Sequence, residues 1–325
     1  METAKQYETM IALYTLLTQQ TDEEHPISTP DLIAELQSNG IDAHRRMVYQ
    51  SLEALKKIGL DIHHVRIGKA HGYYLEHSFS NSEALVLIEH ISSSPAFSQN
   101  ESDQLIEKIK SNLSIHQRNL LPECYVSPSK TDNDDFLKNI EILLPAISSC
   151  HAVEFQYYDL TFDKKRRYRK NKMIYHLTPY AIVSNNAKYY CVFYDHYHES
   201  FTNYRLDKMD QLHITDDLDK PVPFSIEDHM RTSMNMYHGK ASTITLQIDS
   251  SIENKVFEEF GDQNFILRKG STEQKKIISI KTTITPTLTS WLVLYYKQIK
   301  VIEPKSLIDE IVTIANYLKE TYGEK

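Results

Sequence analysis

"HRRMVYQSLEALKKIG" occupies residues 44–59. At helical spacing Met47, Val48, Leu52, Leu55 and Ile58 share one face, and Arg46, Tyr49, Gln50, Glu53 and Lys57 share the other. The apolar stripe fixes how such a helix is turned, so its polar side must face outward. Upstream, Ile11, Leu13, Leu16 and Leu17 predict a first helix, and "STPDLIAELQSNGI" predicts a second, with Thr29 as N-cap, Pro30 in its first turn and Gly40 as terminator. Downstream, "LDIHHVRIGKAHGYYLEH" alternates apolar and polar residues around Gly68 to Gly72, the pattern of a β-hairpin with a basic tip. Three helices closed by a hairpin predict a winged helix-turn-helix over residues 1–77. Its third helix would present its N-terminal residues to base edges. The expected DNA contacts are His44, Arg45, Arg46, Tyr49 and Gln50, with Lys69 and His71 on the hairpin touching the phosphate backbone.

The net charge of −8, from 36 Lys+Arg against 44 Asp+Glu, does not by itself favour a polyanionic partner. Screening confines each charge to about 8 to 10 Å, so local placement decides what a ligand feels. Residues 43–72 carry a local charge of +4, and residues 160–176 one of +6, through Lys164, Lys165, Arg166, Arg167, Arg169, Lys170 and Lys172 against Asp163. Two basic islands sit in an acidic chain.

Length, with 41% hydrophobic and 25% charged residues, predicts a globular protein of several domains. Glu2 and Glu8 interrupt what would have to be the apolar run of a signal peptide, and no stretch approaches a membrane span, so a cytoplasmic protein is expected. Three distant cysteines offer neither a disulfide framework nor a metal clip. Gly-x-Ser-x-Gly, His-Glu-x-x-His and phosphate-binding glycine loops are absent from the sequence, so neither an enzyme nor a cofactor is expected.

Residues 78–149 read as a helical connector whose apolar faces predict a homodimer, with a loop between Pro122 and Asp135. From Ala152 the period changes to two, and short strands follow through residue 216, with a turn at Asn185-Asn186. So many short strands in so few residues predict a small barrel. Ten of the 21 tyrosines lie between 150 and 215, beside the second basic island. Rings that stack on bases and cations that pair with phosphates suit single strands or nucleotides.

"NNAKYYCVFYDHYHESFTNYRLDKMDQL" (185–212), preceded by "VEFQYY" and "LTPYAI", resembles the WYL domain of bacterial transcription regulators. The family's Trp-Tyr-Leu tripeptide corresponds to Tyr189-Tyr190-Cys191, and its Phe-Arg-x-x-Arg pattern places Arg205 at the first Arg and Lys208 at the second. The resemblance implies an Sm-like, SH3-type barrel that senses nucleic-acid or nucleotide-like effectors. Tyr189, Cys191 and Lys208 depart from the pattern, and Lys208 lacks the two-pronged donor geometry of Arg. On this basis Tyr157, Tyr189, Tyr190, Arg205 and Lys208 are the expected ligand residues, with Arg166, Arg169 and His176 at the rim. The pattern around Trp291-Leu292 and Glu303-Pro304 is similar to the family's C-terminal α+β extension, expected over 241–325 after a linker at 217–240.

The expectation is thus an α+β multidomain DNA-binding transcriptional regulator, a repressor, that binds an operator as a homodimer and answers to an effector on its WYL domain. The alternative is a non-regulatory single-stranded nucleic-acid-binding or scaffold protein, and an enzyme comes third. His196 and His198 could pair on a metal, but no third ligand accompanies them.

Overall fold

Three serines set the helices that lead out of the N-terminal region. In the computed structural model, which describes residues 2–68, 70–232, 241–261 and 265–323, the chain divides into two compact units that part after Asp134. The first begins with α1 (Glu2–Gln20), β1 (Ile27–Ser28), α2 (Thr29–Ser38), α3 (Arg45–Lys57), β2 (Ile62–Ile67) and β3 (Ala70–Leu75), the strands pairing in the order β1-β3-β2. Leu13, Leu16 and Leu17 from α1 bury against Leu36 from α2, Leu52 and Leu55 from α3, and Leu75 from β3. Ile11 and Ile58, expected on those faces, remain 63% and 73% exposed.

The N-cap of α2 is Ser28, not Thr29: the Ser28 hydroxyl accepts from Asp31 N–H at 3.4 Å, while Thr29 is already the first residue of the helix. Gly40 ends this segment at φ +80°, as a terminator should. Then α4 (Asn81–Ser93), α5 (Gln99–Lys110) and α6 (Ile115–Leu120) each start from a capping box, Ser80 with Glu83, Ser98 with Glu101 and Ser114 with Gln117.

In the second unit α7 (Phe136–Ser149) leads into β4 (His151–Leu160), β5 (Arg166–Tyr168), β6 (Ile174–Asn185), β7 (Lys188–Asp195), β8 (Ser200–Arg205) and β9 (Met209–Leu218). The strands run β5-β4-β6-β7-β8, with β9 also on β4. Successive strands β8 and β9 are joined by the turn Leu206–Lys208 without pairing, so the sheet is not a closed barrel as expected. Phe155 lies at its centre, against Tyr175, Phe193 and Tyr204 at ring separations of 5.3 to 5.4 Å.

The β6–β7 turn is Asn186-Ala187, one residue later than expected, because Asn185 already pairs with Lys188. Both turn residues have positive φ, 49° and 56°, the geometry whose twist matches a two-residue hairpin. Alanine is strained there by its Cβ, so Ala187→Gly is expected to raise the unfolding free energy by about 1 kcal/mol in urea denaturation.

After α8 (Ile226–Thr232), β10 (Ala241–Asp249), α9 (Glu253–Phe260), β11 (Phe265–Leu267), β12 (Lys275–Thr283), α10 (Pro286–Leu294), β13 (Ile299–Glu303) and α11 (Lys305–Tyr322) build a sheet ordered β11-β12-β10-β13 with helices packed on it. Its core includes Leu246, Ile278, Ile280, Leu288, Leu292 and Leu307. Strand β13 separates α10 from α11. No described helix is long and apolar enough to cross a membrane.

Candidate functional site

Helix α3 turns its apolar face inward through Val48, Ser51, Leu52 and Leu55, which puts its N-terminal polar residues at the surface. His44 caps it, Nδ1 accepting from Met47 N–H at 3.4 Å. Arg45, Arg46 and Gln50 are exposed, and Tyr49 is half-buried at the edge of the core. Arg45 Nε donates to the Tyr49 hydroxyl at 3.1 Å and its guanidinium lies 5.5 Å over the ring. That hydrogen bond is the main reason the Tyr49 phenol is held below its ordinary value, with Thr29 second. Arg45 therefore holds Tyr49 in place, whereas Arg46 has no ion pair among the described residues.

On the hairpin His71 is exposed and stacks on His64 at 4.6 Å, and Arg66 Nε donates to the Gly68 carbonyl at 3.1 Å. Lys69 lies outside the described residues. Arg66, not singled out from the sequence, is the described cation at this tip.

On the six-stranded sheet the cations converge on carboxylates. Arg169 donates through Nε and Nη2 to Asp159 at 2.7 and 3.1 Å, and Lys208 Nζ donates to the same carboxylate at 2.8 Å. The Arg169 hydrogen bonds are the largest cause that holds the Asp159 carboxyl down at about 2. Arg205 grips Asp207 through Nε and Nη2 at 3.0 and 2.6 Å. Arg166 lies 3.4 Å from Asp210 and 4.7 Å over the Tyr158 ring. Tyr157 is buried: its hydroxyl accepts from Arg205 N–H at 3.2 Å, and Arg169 lies 4.9 Å over its ring. Burial pushes that phenol far above its ordinary value.

Five of the eight expected ligand residues thus gather here. Tyr190 joins them, opposite Arg205 in the β7–β8 register. Tyr189 instead packs its ring against Phe136 of α7, 5.3 Å away. His176 alternates with buried Tyr175 and Leu177, so it points the other way, to Glu154 at 3.3 Å and Asp217 at 3.5 Å. It does border a cleft of about 480 Å³ shared with Lys170, Tyr175, Tyr197, His198 and Tyr204. His196 and His198 each take their own carboxylate, Asp219 at 3.1 Å and Asp195 at 2.7 Å.

Sequence reasoning missed Asp159, Asp207 and Lys188. The ammonium of Lys188 is pushed down, first by burial and then by Arg205, which places it within the electrostatic reach of this cluster. A larger cleft in the first unit, about 580 Å³, is lined by Asp22, Glu23, Glu24, Glu76 and Glu83, a lining that repels polyanions.

The family model of the WYL domain matches residues 138–214, from within α7 to within β9, so the chain contains a WYL domain that includes every residue of the sheet cluster. No curated protein matches the chain. Among solved structures it is similar to proteasome accessory factor B/C (PafBC) of Arthrobacter aurescens, with 16% identity over 95% of this chain and 46% of that one, at a TM-score of 0.28. The chain thus spans about half the length of that structure. A CRISPR Cas-related protein is 13% identical over 98% of this chain and 85% of its own, at a TM-score of 0.37.

Proposed function

We propose that the chain is a DNA-binding transcriptional regulator, a repressor, whose WYL domain senses a nucleic-acid or nucleotide-like effector. The observation that carries the DNA half is the exposed N-terminal surface of α3, where His44, Arg45, Arg46 and Gln50 face outward around Tyr49. The order of helices and strands in residues 2–75 is that of a winged helix-turn-helix, with α3 as recognition helix and β2–β3 as wing. The effector half rests on the WYL match and on rings and cations gathered on one sheet.

A homodimer would set two such helices about 34 Å apart on a pseudo-palindromic operator. An effector regulates only if it prefers one arrangement of the heads over another. Repression is the simpler assignment, since operator occupancy needs no further contact with the transcription machinery. The reading includes no catalytic step and no cofactor. The tyrosine-rich cleft also suits the second reading, a non-regulatory binder of single strands.

Selection from a random duplex pool distinguishes the two. A pseudo-palindromic sequence, bound by a dimer in light scattering, is the expected outcome. Equal retention of random duplex and single strands would overturn the regulator.

A further inference from the structure

The cations of the sheet cluster are unequally neutralised. Arg205 and Asp207 form a two-bond pair, and Arg166 lies against Asp210. Arg169 and Lys208, by contrast, share the single carboxylate of Asp159. Lys188 has no ion pair among the described residues; on β7 it lies two residues before Tyr190, which pairs with Arg205, and it feels Arg205, Asp207 and Lys208. Two positive charges are left over, one from the shared triad and one from Lys188.

We propose, on the basis of the effector reading above, that the WYL domain takes a terminal phosphomonoester and that Asp159 is the internal anion this phosphate displaces. A carboxylate bridging a guanidinium and an ammonium occupies the seat that phosphate oxygens fit, since both anions present several acceptors to the same donors. The charge selects the ester. With Asp159 displaced, Arg169, Lys208 and Lys188 present three positive charges, against which a phosphodiester brings one negative charge and a terminal monoester about 1.5 to 2 at pH 7, so the monoester neutralises more of the site. Arg169 is half exposed, so it can turn from Asp159 to an incoming ligand. Lys170, next to Arg169 in the chain, lines the cleft of about 480 Å³, where exposed Tyr197 and half-buried Tyr204 offer a place for the attached base. A free 5′-nucleotide and the 5′-phosphorylated end of a strand share this chemistry.

Three probes test it on the full chain by calorimetry: thymidine 5′-monophosphate, a short 5′-phosphorylated oligothymidylate, and the same strand ending in a 5′-hydroxyl. The wild type is expected to bind the phosphorylated strand at least about tenfold tighter than the hydroxyl strand. Asp159→Asn removes the competing anion and is expected to tighten phosphate-bearing probes by about tenfold more. Lys188→Met is expected to shrink the preference for phosphate. Mononucleotide binding as tight as the strand would identify the free nucleotide as the source; tighter binding of the strand would identify its end. Equal binding of the two strands by wild type, which requires no variant to fold, overturns this inference and leaves the effector reading standing. Weaker phosphate binding by Asp159→Asn overturns the displacement. Failure of all three probes to bind either protein removes both.

Discussion

Arg205→Ala is expected to lower the unfolding free energy by about 3 kcal/mol, because it removes the opposite charge from a buried carboxylate. The Asp207 side chain is 6% exposed and takes two hydrogen bonds from the guanidinium. Truncating the cation takes two hydrogen bonds and the opposite charge from a desolvated carboxylate, a far larger loss than breaking a surface pair. The main-chain bond from Arg205 N–H to the Tyr157 hydroxyl survives the substitution, so the effect isolates the ion pair. Urea denaturation measures it. The double variant Arg205→Ala, Asp207→Ala should be less destabilised than the sum of its singles, since the two side chains are in direct contact. A single variant within about 0.5 kcal/mol of wild type would show that Asp207 is solvated. The pair also affects how effector assays are interpreted: Arg205→Ala is expected to abolish the effector response, but part of that loss reflects a weakened sheet. Lys208→Met separates the two, because Asp159 keeps Arg169 when Lys208 is gone.

The helices and most strands were legible because period and punctuation are local. Val48, Leu52 and Leu55 name the inner face of α3 without knowing what they touch. Alternation in "VEFQYY" likewise names Phe155 and Tyr157 as inward residues of β4, and both are buried. What failed was whatever depends on register. Asp159 meets Arg169 because β4 pairs with β5, and meets Lys208 from 49 residues away because β9 lies on the same strand. Charge counting saw a basic island where the folded sheet holds paired charges. His176 was expected with the cations on residue type, but on β6 it falls opposite Tyr175 and Leu177. Lys188 gave a faint signal as the residue that opens β7 after a two-residue turn. The barrel expectation failed for a related reason: strand number counts elements, whereas closure requires β8 and β9 to pair, and the turn Leu206–Lys208 carries one past the other unpaired.

Replacing both Arg45 and Arg46 by alanine is expected to weaken operator binding by at least about a hundredfold, since one good arginine contact to a base contributes about 1–3 kcal/mol of discrimination. The two residues should not lose equally. Arg46 is exposed and has no ion pair among the described residues, so its whole charge is available to DNA. Arg45 already donates to Tyr49, and DNA must either accept that pair as it stands or break it. Salt dependence separates the roles. Each phosphate contact removed lowers the slope of log affinity against log salt by about 0.9, whereas loss of a base contact leaves the slope and erases sequence preference. Arg46→Ala that changes neither slope nor preference would mean α3 is not the DNA-reading element. The proposed function asks an acidic protein to bind DNA, and salt dependence tests how: release of counterions depends on the few cations that meet phosphate, and the carboxylates elsewhere oppose binding that lacks the right register.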